Sequence, residues 1–237
     1  MQEPNTGDNI AAGNANWRFD GDTVKTFEDH VSKSVPFYGV GHKLVLALSD
    51  FFVQRESRIF EMGCSTGILS HALAERAAPK NARVTGVDIV PDMVAFAEKK
   101  YRRENLGFVC ADILDVDMAG ADLIVSYYVV QFISPARRQL VINRIFESLN
   151  WGGAFVMFEK VRAPDARFQD IAAALYQDYK LEQGYSCDEI VAKARSLKGV
   201  LEPFSTQGNL DLLGRAGFKD VLTVFKYICF EGFVAIK

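Results

Sequence analysis

A short apolar run, Arg58-Ile59-Phe60-Glu61-Met62, passes directly into Gly63-Cys64-Ser65-Thr66-Gly67, and Ile68, Leu69, Ala72 and Leu73 follow at helical spacing. Strand, glycine loop and helix in that order confine the chain to sheets in which a strand hands over to a helix at its carboxyl end. Gly63 permits a tight turn, and Gly67 lets a ligand or a neighbouring strand approach without a Cβ in the way. In such sheets ligands bind beyond the carboxyl ends of the strands, where strand order reverses. The glycines are spaced more widely than in the pyrophosphate fingerprint G-x-G-x-x-G, and an acid, Glu61, stands ahead of them.

The same alternation continues along the chain. Residues 83–87 read as a strand that ends at Asp88. Pro91 opens a helix whose buried side is Met93, Val94, Phe96 and Ala97. Strands are expected at 108–110, 121–126 and 154–158, with a helix striped by Leu140, Val141, Ile145 and Leu149 before the last of them. This rhythm predicts an α/β fold, a mostly parallel sheet with helices on both faces. Residues 19–42 look helical but interrupted by Pro36, Gly39 and Gly41, and residues 43–52 form a second, buried helix. From 163 to 204 the regular beat stops, and a helical insertion covering the site is expected there. Residues 221–229 and 232–236 close the sheet as an antiparallel pair. The domain is therefore a single one over 19–237, preceded by a polar, flexible arm over 1–18.

Charge narrows the partners. Lys and Arg number 27 against 30 Asp and Glu, a net charge of −3, so no general attraction to nucleic acid or an anionic membrane is expected. No apolar stretch is long enough to span a bilayer, and the N-terminus lacks a secretory pattern, which points to the cytoplasm. Cys64, Cys110, Cys187 and Cys229 lie far apart without a CxxC pair, so neither a metal site nor a disulfide framework is expected. A small-molecule substrate is the expected partner, with a homodimer allowed.

The acids give the loop its ligand. Asp88, at the end of the second strand, suits two ribose hydroxyls. Asp112, after the third, suits an adenine amino group. Three carboxylates around a glycine loop would repel a diphosphate, so a nucleoside without phosphate fits best. Glu61-x-Gly63-x-x-x-Gly67, Asp88, Ala111-Asp112-Ile113 and Leu149-Asn150-Trp151-Gly152-Gly153 resemble the motif series of class I S-adenosylmethionine (SAM)-dependent methyltransferases over residues 55–160. That resemblance implies a seven-stranded Rossmann-like sheet whose last strand is antiparallel. It implies SAM held by Glu61, Gly63, Ser65, Gly67, Asp88, Asp112 and Ile113, as methyl donor or as substrate, with no metal.

A longer resemblance runs through WRFDGDTVKTFEDHVSKSVPFY, QFISPARRQLVINRIFESLNWGGAFVMFEK and YKLEQGYSCDEI. These segments look like the carboxy-SAM synthase branch, which converts SAM using prephenate as carboxyl source. The resemblance implies that Tyr38 and Asp88 contact the cofactor. It also implies that Tyr127 replaces an asparagine near the methionine part, and that Ala194 replaces an arginine that holds the added carboxylate. Arg195 is one place on, and a shift of one turns a helical side chain about 100° away.

These departures resemble azetidine-2-carboxylate synthases, in which the amine of SAM attacks its own γ-carbon and 5′-methylthioadenosine leaves. Intramolecular cyclisation is thus the leading expectation. A conventional small-molecule methyltransferase and a carboxy-SAM synthase are the alternatives. Tyr127, at the end of the fourth strand, and Tyr176, in the insertion, are the expected catalytic residues, enclosing the sulfonium by cation–π attraction. Because strand residues alternate sides, only one of Tyr127 and Tyr128 is expected to face the site. His30 is a candidate base.

Overall fold

The computed structural model describes residues 3–8, 10–21 and 23–237. Residues 1, 2 and 9 of the expected arm, and residue 22, lie outside the described residues. The body is one seven-stranded sheet in the order β3-β2-β1-β4-β5-β7-β6. Its strands are β1 (Arg58–Met62), β2 (Arg83–Asp88), β3 (Leu106–Cys110), β4 (Ala121–Tyr127), β5 (Leu149–Lys160), β6 (Asp220–Tyr227) and β7 (Phe230–Ile236). The first five run parallel. β7 lies antiparallel between β5 and β6. The chain therefore has the seven-stranded, mostly parallel class I fold that the motif series implies.

Among the described residues, eight α-helices surround the sheet: α1 (Thr23–Ser34), α2 (Tyr38–Phe52), α3 (Ile68–Ala77), α4 (Pro91–Lys100), α5 (Pro135–Ser148), α6 (Ala166–Glu182), α7 (Cys187–Ser196) and α8 (Thr206–Ala216). Strand alternation divides the core into two layers. On one face Ile59, Val84, Leu123, Val125 and Val156 pack against Val45 of α2 and Leu69 and Leu73 of α3. On the other, Phe60, Met62, Ile124, Phe155 and Met157 pack against Ile142 and Ile145 of α5 and Leu212 and Leu213 of α8. Central strands buried on both faces explain why the sequence reads as apolar runs there rather than as clean alternation.

Three boundaries differ from the expected ones. Gly39 and Gly41 do not break a helix; both lie inside α2, which starts right after Phe37 in the left-handed region at φ 57°. Gly41 is required by packing, because a Cβ there would meet the Tyr127 hydroxyl. β5 begins at Leu149 rather than at 154, since Leu149 still pairs with Ala121 ahead of a shift of register that leaves residues 150–153 of β5 bulged before Ala154 pairs with Leu123. The insertion resolves into α6 and α7, each with its own start signal. The Asp165 side chain accepts from the Phe168 N–H, and Ser186 and Glu189 form a reciprocal capping box.

The described part of the N-terminal arm is packed against the body. Thr6, Ala12 and Trp17 are buried, and the N–H groups of Ala15 and Trp17 donate to the carbonyls of Arg195 and Ser196 at the end of α7. One indole among many polar residues anchors the segment.

Candidate active site

Strand order reverses between β1 and β4, and a cavity of about 680 Å³ opens at their carboxyl ends. Its floor is the glycine loop. Ser65, at φ 48°, donates its N–H to Asp88 Oδ2 at 2.8 Å, and Val90 N–H donates to Oδ1 at 2.9 Å. Asp88 thus ties the loop to the end of β2 while still lining the cavity. Burial raises its carboxyl above the usual range, against those N–H bonds. Glu61 is buried on β1 and accepts from the Ser70 hydroxyl. Burial pushes its carboxyl up to about 8 against the Ser70 bond, and nearby Asp88 adds to the rise.

The glycines serve the turn and the close approach expected of them, Gly67 towards a neighbouring strand rather than towards the cavity. Gly63, at φ 66°, lines the cavity, and a Cβ there would strike Val129. Gly67, at φ 80°, does not line it. Its missing Cβ makes room for the Phe108 ring of β3 and for Ala97 of α4. Both are turn and packing glycines: they let β1, α3 and their neighbours come close enough to build the loop.

Asp112 and Ile113 line the same cavity past β3. Asp112 accepts from the Leu114 N–H at 3.0 Å and pairs with Arg137 at 2.9 Å. The N–H bond and then Arg137 hold its carboxyl below the usual range, against partial burial.

Aromatic rings form the opposite wall. Tyr38, Tyr127, Tyr128, Tyr176 and Phe230 all border the cavity. The Tyr38 and Tyr127 centroids are 5.1 Å apart, Tyr127 and Tyr128 4.8 Å, and Tyr176 and Phe230 5.2 Å. The alternation argument fails at Tyr128. That residue lies one past the end of β4, at φ 63°, so its ring swings to the side that Tyr127 occupies. The hydroxyls of the two expected catalytic tyrosines are both engaged with backbone. Tyr127 Oη donates to the Tyr38 carbonyl at 2.7 Å, and Tyr176 Oη donates to the Ser34 carbonyl at 2.8 Å. What they offer a ligand is ring face and edge, not a free hydroxyl.

The solvent side is bordered by Trp17 of the arm, by Phe19, by α1, and by α6 and α7 of the insertion. His30 borders this roof, with Nδ1 2.8 Å from Asp8 and Nε2 2.9 Å from Lys193 Nζ. Burial and then Lys193 push the imidazole down to about 4, so it is neutral and tied into the roof. Sequence reasoning missed Glu28, which accepts from the Thr66 hydroxyl at 3.0 Å, and Lys160, Lys180 and Phe230. No motif announces them, because each comes from a different element. Among the described residues, no group of three or more His, Cys, Asp or Glu side chains is placed to hold a metal. No helix among them is long and apolar enough to cross a membrane.

Cavity guanidiniums are already paired. Arg137 meets Asp112, and Arg162 meets Glu202 at 3.5 Å. Ala194 lines the cavity, whereas Arg195 is exposed and outside its lining.

Known proteins share these features. A family model described as a methyltransferase domain matches residues 59–153. A carboxy-S-adenosyl-L-methionine synthase of Staphylococcus epidermidis is 35% identical over 222 residues, covering 93% of this chain and 97% of that protein. One of Campylobacter lari is 35% identical, covering 93% and 94%. Among solved structures, the magnesium protoporphyrin IX methyltransferase of Synechocystis with bound SAH superposes with a TM-score of 0.60 at 16% identity, covering 87% of this chain and 86% of that one; this likeness shows the fold alone.

Proposed function

The chain belongs to the family of the carboxy-S-adenosyl-L-methionine synthases, and from that premise we propose that SAM is the molecule this enzyme rebuilds, not a methyl donor for a large acceptor. It is a class I SAM-dependent, methyltransferase-like enzyme. The observation that carries the proposal is the aromatic wall of Tyr38, Tyr127, Tyr128, Tyr176 and Phe230 inside a roofed cavity. Such a wall suits a sulfonium, with cation–π attraction of ~1–2 kcal/mol for a desolvated cation. In this reading Asp88 accepts from the ribose hydroxyls, Asp112 and Ile113 border the adenine, and the Gly63–Ser65 turn lies beneath the nucleoside. The absence of phosphate-binding cations on the glycine loop agrees with a nucleoside of this kind.

Two rebuilding reactions are open to that arrangement. The relatives support carboxyl transfer, in which prephenate loses its ring carboxylate as CO2 and its ring hydroxyl as hydroxide to leave phenylpyruvate. The hydroxide takes a proton from the sulfonium methyl to give water, and the methyl carbon bonds to the CO2. A specific feature favours ring closure to azetidine-2-carboxylate instead: Ala194 faces the cavity, and Arg137 and Arg162 are both neutralised, so no guanidinium is free for an added carboxylate. In ring closure the neutral amine attacks the γ-carbon, and the Cγ–S bond breaks with its electron pair going to sulfur. 5′-Methylthioadenosine departs, and the ring nitrogen keeps its two hydrogens as the ammonium of the product zwitterion; the one proton released is the one the α-ammonium lost before the attack. The protein's part is to fold the methionine chain and exclude water. Amine basicity is lowered by the adjacent sulfonium.

One incubation decides. Purified protein is given SAM alone, then SAM with prephenate, and products are read by mass spectrometry. Carboxy-SAM formed only with prephenate supports carboxyl transfer. Methylthioadenosine and a four-membered imino acid from SAM alone support ring closure. No conversion of SAM under either condition, with methylation once an acceptor is added, overturns the proposal.

A further inference from the structure

Two ammonium groups bracket one ring of the aromatic wall. Lys160 Nζ lies 4.2 Å from the Tyr176 centroid, and Lys180 Nζ lies 4.6 Å from it. Lys160 also stands 5.9 Å from the Phe230 centroid, which belongs to its cross-strand partner on β7. Both lysines line the cavity. The ring between them is fixed, because the Tyr176 hydroxyl is committed to Ser34 on α1.

Neither lysine has a carboxylate partner among the described residues. Glu159, next to Lys160 in sequence, turns its two oxygens to the N–H groups of Val130 and Gln131. Glu202 is taken by Arg162. Of the other two cavity lysines, Lys193 is committed to the roof through His30 and Lys198 follows the end of α7. Half-buried like charges around one ring repel each other, and a ring face offsets only part of the hydration they have lost. Burial holds both amines below the usual lysine range, Lys180 at about 8 with Lys160 contributing. An anion at the edge of the ring, within reach of both ammonium groups, would supply the missing counter-charge. Arg162, paired with Glu202, and the Cys229 thiol border the same end of the cavity.

We propose that Lys160 and Lys180, with Tyr176 between them, form a carboxylate-binding subsite of the cavity. Its ligand is a small organic carboxylate, and the assignment of that carboxylate rests on the SAM reading above. Either the α-carboxylate of SAM sits there, leaving the amine free, or the carboxylate of a second substrate acid does. The subsite would do with two ammonium groups what an arginine at position 194 does not do here.

The test uses the full chain and the variants Lys160→Met, Lys180→Met and Lys180→Arg. Calorimetry measures SAM, decarboxylated SAM and 5′-methylthioadenosine; steady-state assays measure prephenate. If the subsite holds the carboxylate of SAM, each methionine variant weakens SAM by about tenfold to a hundredfold, the range of a hydrogen bond to a charged group. Decarboxylated SAM and methylthioadenosine then bind as before, which also shows that the variants fold. Lys180→Arg restores most of the loss. If the subsite holds a second acid, SAM affinity stays put and the KM for prephenate rises by about tenfold or more in the methionine variants. Unchanged SAM affinity together with unchanged prephenate use overturns the subsite while leaving the SAM reading intact. Should the wild type bind none of the nucleosides, the SAM reading fails, and prephenate binding alone is then decisive. Binding lost in both methionine variants upholds the subsite; binding equal in all forms, or absent from the wild type, overturns it.

Discussion

Asp88 serves two partners at once: it accepts two backbone N–H groups that set the loop, and it faces the cavity. Asp88→Ala removes the ribose acceptor and unties Ser65. SAM affinity is expected to fall by at least about tenfold, measured by calorimetry, since bonds to a charged acceptor contribute about 1.5–3 kcal/mol. Tyr127 differs, because its hydroxyl is spent on α2. Tyr127→Phe should keep most turnover, and Tyr127→Ala should lower turnover more than SAM affinity; equal loss in both variants would shift the role from ring to hydroxyl. Glu61 carries a pH signature. Its folded-state pKa, raised to about 8 from 4.5, means that the neutral form stabilises the fold fully below about pH 4.5. That contribution is lost as pH rises through 8. Glu61→Gln, neutral throughout, should melt above wild type at pH 8 by on the order of 2 kcal/mol, with the gap closing towards pH 5. A gap that widens on acidification would contradict a neutral Glu61.

At the scale of elements, legibility follows locality. The unit β1, glycine loop and α3 could be read because every signal lies within a few residues. The acids at the ends of β2 and β3 were legible for the same reason: a parallel sheet brings successive strand ends to one rim. What could not be read depends on contacts between distant segments. The lysine pair joins β5 to α6, and Tyr128 reaches the site only through a left-handed backbone that its sequence neighbours do not announce. The arm was hidden by composition, since its polar residues mask the single anchor, Trp17. Its latch is Asp8, which meets His30 and the Tyr185 hydroxyl at 2.8 and 2.7 Å and pairs with Lys33. Burial opposes ionisation there, but bonds from Lys33, Tyr185 and His30 prevail and hold its carboxyl down to about 2. Asp8→Ala should loosen the roof, seen as faster proteolysis in the first twenty or so residues and faster SAM release in stopped flow. Unaltered release would mean that the arm is not part of the closure.

On the scale of the molecule, the cavity is assembled from the arm, the helices α1 to α7 and the ends of several strands, so ligand and fold are strongly linked. At one hundred times its dissociation constant a ligand adds about 2.7 kcal/mol to stability. For a domain of this size that corresponds to a rise in melting temperature of roughly 5–10 °C. Methylthioadenosine or SAM should produce it in a thermal shift assay, and nucleoside diphosphates should not. One glycine of α2 shows how far such linkage reaches. Position 41 has no room for a methyl group because the Tyr127 ring and hydroxyl occupy the space beside it. A descendant of this sequence that gains a side chain at 41 has to shrink residue 127 in the same step or soon after, so a helix far from the glycine loop in sequence limits which aromatic cages evolution can sample.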